Sequence, residues 1–158
     1  MKDTSFNDLA KRAYGNAKAK GFHDEVRKDA HWLMLVVCEL AEAVEADRSG
    51  KRAERKEYER LVGVCEDVVK PHLFEMYIKD TVEDELADAV IRLLDFMGMK
   101  GTDVDGYLSK MDLSMEDFGE GEKMPFTEEV FDIVQQFLSD GYVIFFMCDI
   151  FGLASRCC

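Results

Sequence analysis

The chain has 158 residues, 47% of them hydrophobic and 34% charged, with 33 acidic against 20 basic side chains and a formal net charge of -13. That is one domain's worth of chain with enough apolar residues for a real core, and too apolar for a disordered acidic tail. The negative surplus argues against partners held through Lys and Arg contacts to phosphate, so nucleic acid and anionic membrane surfaces are excluded as the main partners.

Two prolines and the dominance of Ala, Leu, Glu, Lys and Met predict an all-α fold, a helical bundle formed by a single domain over residues 1–158. Phe6, Leu9, Ala10, Ala13 and Ala17 recur at helical spacing and predict a short amphipathic helix with a basic face, ending near Gly21. The strongest helical pattern runs from about Val26 to Arg48 and closes at Ser49-Gly50. Residues 51–60 are charged and lead into Leu61, Val62, Val64, Cys65, Val68 and Val69, a further helix expected to stop at Pro71. Another pattern begins near His72, breaks around Asp80-Thr81 and continues from Val82 to Met97, with Thr81 and Asp84 spaced as a capping box. Residues 101–158 carry 12 acids and 3 bases, and glycines interrupt the pattern until a last helix capped by Thr127. Tyr142 to Phe151 is almost wholly apolar and belongs against the bundle or in a subunit interface. No 18-residue apolar run and no apolar leader are present, five cysteines form no CxxC pair, and a cytoplasmic location is expected.

Two helices carry the chemistry. In the segment 32–46, apolar residues cover most of the circumference, so this helix is expected at the centre of the bundle, yet Glu39 and Glu42 project from the stripe that carries Trp32 and Leu35. In the segment 82–97, Glu85, Asp88, Arg92 and Asp95 share one stripe opposite a broad apolar side. If the helices pair, four carboxylates converge. Two of them ~5 Å apart at an effective dielectric of about 20 repel by roughly 3 kcal/mol. Summed over several pairs, this rivals the about 5–15 kcal/mol that holds a domain together. Protonation, intruding basic groups or hard cations must relieve it, and oxygen ligands without His or Cys favour Mg²⁺ or Mn²⁺.

The segments Glu39-Leu40-Ala41-Glu42 and Glu85-Leu86-Ala87-Asp88, within Cys38 to Arg48 and Glu83 to Asp95, resemble the MazG-like branch of the all-α nucleoside triphosphate pyrophosphohydrolases, especially its small phage and bacterial members. The resemblance covers roughly residues 26–100, placing a MazG-like core in 1–100 and leaving 101–158 as a divergent acidic loop plus C-terminal helix. It implies a homodimer or dimer of dimers that uses Mg²⁺ to cleave a free (deoxy)nucleoside triphosphate into monophosphate and pyrophosphate, with Glu39, Glu42, Glu85 and Asp88 as metal ligands and catalytic residues. Arg92, Lys51 and Lys79 are the candidates for phosphate binding, and Trp32 for stacking on a base. Arg92 divides evenly between bracing an acid and meeting a phosphate.

Three features depart from the family pattern. The interval between Glu42 and Glu85 holds 42 residues, which makes residues 51–80 an extra helix or flap. Leu108-Ser109-Lys110-Met111 begins to match a phosphate-binding segment of the family that Asp112-Leu113-Ser114 does not continue, and the ending at Cys158 reads as a family chain stopped before its basic tail. The alternative is therefore a catalytically weak or inactive nucleotide- and metal-binding module. A di-iron bundle ranks low, since neither Glu39 nor Glu85 has a His three residues on. The dipeptide His23-Asp24 lacks the further ligands of an HD-type phosphohydrolase and reads as ordinary loop polarity.

Overall fold

The computed structural model describes residues 5–110 and 124–140, together with 143, 146, 148–150, 152 and 153. It is all-helical, with no strand among the described residues. Among the described residues the helices follow in the order α1 (Phe6–Ala19), α2 (Asp29–Arg48), α3 (Arg55–Val62), α4 (Lys70–Tyr77), α5 (Val82–Lys100), α6 (Val104–Lys110) and α7 (Phe126–Asp140), with further helical residues after Asp140. Among the described residues no helix is long and apolar enough to cross a membrane.

The central helix is α5, which packs against both α1 and α2. Leu93, Leu94, Asp95, Phe96 and Met97 are buried in succession, so more than one turn of α5 is covered on every side. This corrects the expectation that α2 is central: Met34, Cys38 and Ala41 line an exposed face of α2, although its sequence is apolar nearly all round. Val36, Leu40 and Ala43 of α2 meet Leu86, Ala89 and Leu93 of α5 in the core, joined by Ala10, Val104, Val130 and Ile133. The apolar run after Gly141 contributes too. Its described members Phe146, Cys148 and Ile150 are buried, as is Leu153, and Phe146 stacks on Phe137 of α7 with centroids 4.1 Å apart. Gly141, Tyr142, Gly119, Gly121 and the terminal Cys157-Cys158 lie outside the described residues.

Helix ends follow local chemistry. The Thr81 hydroxyl accepts from the Asp84 amide and caps α5, while the Asp84 carboxylate accepts from the amide of Asp80, whose φ of 57° turns the chain into the helix. Gly101, at φ 66°, closes it. Pro71 starts α4 rather than ending a helix, because its fixed φ and missing N–H suit a first turn, and residues 61–69 are mostly not helical. Sequence reasoning also missed α6, whose first amides donate to the Asn7 side chain while Asp105 accepts from the amides of Phe6 and Asn7 at the start of α1. Helix α7 begins at Phe126, one residue before the expected Thr127 cap, with the Pro125 carbonyl accepting from the Glu128 and Glu129 amides.

The 51–81 excursion carries α3 and α4 packed on each other and returns to where it left. The Val82 amide donates to the Lys51 carbonyl at 3.3 Å, and the Ala53 amide to the Glu83 carboxylate at 2.9 Å. The insertion therefore does not disturb the antiparallel pairing of α2 and α5, which runs from the Lys51–Val82 contact through Glu39–Arg92 to the Asp29–Lys100 ion pair. That pairing brings the two acidic motifs face to face.

Candidate metal centre and adjoining cleft

Glu39 of α2 and Glu85 and Asp88 of α5 each offer a carboxylate oxygen, and the three oxygens lie within 4.8 Å of one another. Glu39 and Glu85 are buried and Asp88 is exposed, so the group sits at the edge of the α2–α5 interface with one side open. Glu42 is exposed and stands outside this group. Its charge is nonetheless felt at Glu85, whose pKa is pushed up from 4.5 to about 7, chiefly by burial and then by the negative charges of Glu42, Asp84, Glu39 and Asp88. Burial and the neighbouring acids also raise the pKa of Asp88 and of Asp84. Three carboxyls that all hold protons more tightly than usual mark a place short of positive charge.

The donor set fits a hard divalent cation. It consists of oxygen alone, with no His or Cys in the group. Opposite ligands of an octahedral Mg²⁺ stand about 4.2 Å apart and adjacent ones closer, so small side-chain rotations would bring these oxygens into range. Mg²⁺ keeps several waters when few carboxylates hold it, and the open side leaves room for them.

One cation of the chain already reaches the group. Arg92, one turn beyond Asp88 on α5, donates from Nε to Glu39 Oε1 at 2.9 Å, with its side chain 36% and that of Glu39 11% exposed. Of the two roles open to Arg92 in the sequence, the structure shows the first, bracing an acid. Its guanidinium also lies 5.8 Å from the centroid of the Phe22 ring. Beside it opens a cleft of 410 Å³ between α1 and α5, lined by Asn16, Ala17, Lys20, Phe22, Asp88, Arg92 and Asp95 among others. Asp88 and Arg92 thus belong to the carboxylate group and to the cleft wall at once.

The other sequence candidates fall elsewhere. Lys51 and Lys79 are exposed, and Lys79 acts on Asp84 by lowering its pKa against the stronger effect of burial. Trp32 is 5% exposed, and one face of its ring is covered by His23, 4.3 Å away and nearly parallel. Its indole N–H has no hydrogen-bond partner among the described residues. His23 is the functional-site neighbour that sequence reasoning passed over as loop polarity. Its Nε2 meets Asp95 Oδ1 at 2.7 Å, and Tyr14 packs edge-on against its ring. The only signal in the sequence was its place one residue after Phe22, in a loop that must cross from α1 to the Trp32 helix.

No protein-family model, curated protein or solved structure matches the chain.

Proposed function

We propose that the protein is a Mg²⁺-dependent pyrophosphohydrolase of the MazG-like type, acting on a free (deoxy)nucleoside triphosphate and releasing nucleoside monophosphate and pyrophosphate. The observation that carries this reading is the convergence of Glu39, Glu85 and Asp88 next to a cleft of 410 Å³ whose wall includes Asp88 and the Glu39 partner Arg92. The cleft is of small-molecule size. In this reading the triphosphate lies over the carboxylate group and the nucleoside enters the cleft between α1 and α5.

A bound Mg²⁺ would neutralise phosphate oxygens and acidify water at neutral pH. The chain's own residues do the rest. Glu39 and Asp88 would hold the cation from two helices and so orient the reacting phosphate relative to the cleft. Glu85, beside the cation group on α5, is the carboxylate placed to accept a proton from the attacking water. Arg92 supplies positive charge where charge grows on the transferred phosphoryl group. The exposed α2 face with Met34 and Cys38 is the surface we assign to a homodimer or dimer of dimers.

One observation favours a second reading, a nucleotide- and metal-binding module with little turnover: Glu42 stands outside the group of three. Pyrophosphate release from a panel of dNTPs and NTPs, with and without Mg²⁺ and repeated with Glu39→Gln, separates the two. Mg²⁺-dependent release that Glu39→Gln abolishes supports the enzyme. Binding without release supports the module, and neither binding nor release removes both.

A further inference from the structure

We infer that Arg92 is a resident counter-ion of the carboxylate group that gives up Glu39 when a divalent cation enters and turns its guanidinium to the anionic ligand in the cleft. The inference rests on the reading above for the identity of that ligand, but its first half concerns the chain and a metal alone.

Three observations on geometry lead to it. First, Arg92 spends one donor, Nε, on Glu39 Oε1 at 2.9 Å, and Glu39 is one of the three residues whose carboxylate oxygens converge as a cation site with Glu85 and Asp88. A lone pair engaged by a guanidinium is not free for a metal, so the two positive charges compete for the same carboxylate. Second, the competitor is mobile enough to leave. The side chain of Arg92 is 36% exposed, its guanidinium lies over the Phe22 ring, and it is anchored at one carboxylate contact, not by a bidentate fork. Third, the place it would move to adjoins it. Arg92 and Phe22 both line the cleft, so a rotation about the side chain's own torsions keeps the ring contact while shifting the donor edge away from Glu39.

Charge balance then orders the events. Before a cation binds, Arg92 offsets part of the repulsion among Glu39, Glu85 and Asp88. Once a divalent ion sits among them, the guanidinium faces a like charge and Glu39 is better used as a metal ligand. The displaced guanidinium has the geometry to take two phosphate oxygens in parallel. Lys20, on the far wall of the same cleft, adds a second positive charge there.

The test uses the full chain. Mn²⁺ alone is titrated calorimetrically into the parent, Arg92→Gln and Arg92→Lys, and each is then titrated with a non-hydrolysable α,β-imido dNTP in saturating Mg²⁺. Arg92→Gln is expected to bind Mn²⁺ roughly three- to fivefold more tightly than the parent, the scale of one partly exposed ion pair, and Arg92→Lys in between. The same Arg92→Gln change is expected to weaken the nucleotide analogue by about tenfold or more, in keeping with a lost charge-assisted contact. Opposite signs in the two titrations are what a merely structural brace would not give. Should the variants fail to fold, the ¹⁵N NMR signal of the Arg92 Nε–H in the parent decides: displacement predicts that it shifts and exchanges faster on Mg²⁺ saturation. An unchanged signal, or Mn²⁺ affinity equal or weaker in Arg92→Gln, overturns the inference. If the analogue does not bind the parent, the hydrolase reading and the second half fall together, while the Mn²⁺ titration still decides the first half.

Discussion

His23 Nε2 stands 2.7 Å from Asp95 Oδ1, with both side chains 7% exposed, and this contact ties the α1–α2 loop to the middle of the central helix. Asp95 lines the cleft, and the His23 ring packs between Tyr14 of α1 and Trp32 of α2. The pair therefore fixes three helices around one wall of the candidate site. Removing one partner strands the other in a dry place, so His23→Ala and Asp95→Ala should each destabilise the protein by about 2–4 kcal/mol. In a double-mutant cycle the two losses should fall short of additivity by about 1–3 kcal/mol. Urea denaturation of the four proteins checks this, and strict additivity would mean that the contact contributes nothing.

Glu85 makes stability depend on pH in a direction opposite to that of most carboxylates. Its pKa is raised from 4.5 to about 7 in the folded protein, so the fold prefers the protonated acid. Without divalent ions, stability is complete below about pH 4.5 and is lost as pH rises through about 7, by up to ~3 kcal/mol from this group. Glu85→Gln keeps the shape and removes the charge. It should match the parent near pH 4.5 and exceed it by about 1–3 kcal/mol at pH 8 in EDTA. Adding Mg²⁺ at pH 8 should stabilise the parent more than the variant, because the cation relieves the charge that Glu85→Gln has already removed. Urea midpoints at the two pH values test this, and equal destabilisation of the variant at both would count against a charged, crowded Glu85.

Gly98 sets how closely α1 approaches α5. A Cβ there would run into the Ala10 carbonyl and come within 2.8 Å of Tyr14 Cβ, backbone and near-backbone atoms that cannot swing aside. Gly98→Ala should therefore cost about 2–4 kcal/mol despite Ala's better helix propensity. Because α1 forms the opposite wall of the cleft, the same change should weaken ligand binding there. A variant as stable as the parent by thermal melting would show that the helices part at little cost.

The acidic motifs were legible because a carboxylate on an otherwise apolar helix contradicts that helix's pattern, and Glu39 and Glu85 are buried as the pattern required. The burial of the apolar run around Phe146 and Ile150 was legible for the same reason. What periodicity could not give was which helix would be covered on all sides. The sequences of α2 and α5 are both strongly apolar, and only the packing of α1 beside α5 decides that α5 is central while Met34 and Cys38 of α2 face outward. Pro71 was misplaced because one residue serves equally to stop a helix and to start one, and the choice depends on chain beyond it. His23 was missed because its role comes from Asp95, 72 residues away in sequence. A loop residue carries no local sign of such a partner.

Which phosphoanhydride bond is broken decides whether the protein is a pyrophosphohydrolase. ³¹P NMR of a dNTP digest in Mg²⁺ and ¹⁸O-labelled water, run with the parent and with Glu85→Gln, reads it most directly. The prediction is nucleoside monophosphate and pyrophosphate from the parent, with no diphosphate or orthophosphate as first product, and a rate at least about 10²-fold lower for Glu85→Gln, as expected for loss of a general base. Intact dNTP, release of orthophosphate, or undiminished turnover by Glu85→Gln would contradict it.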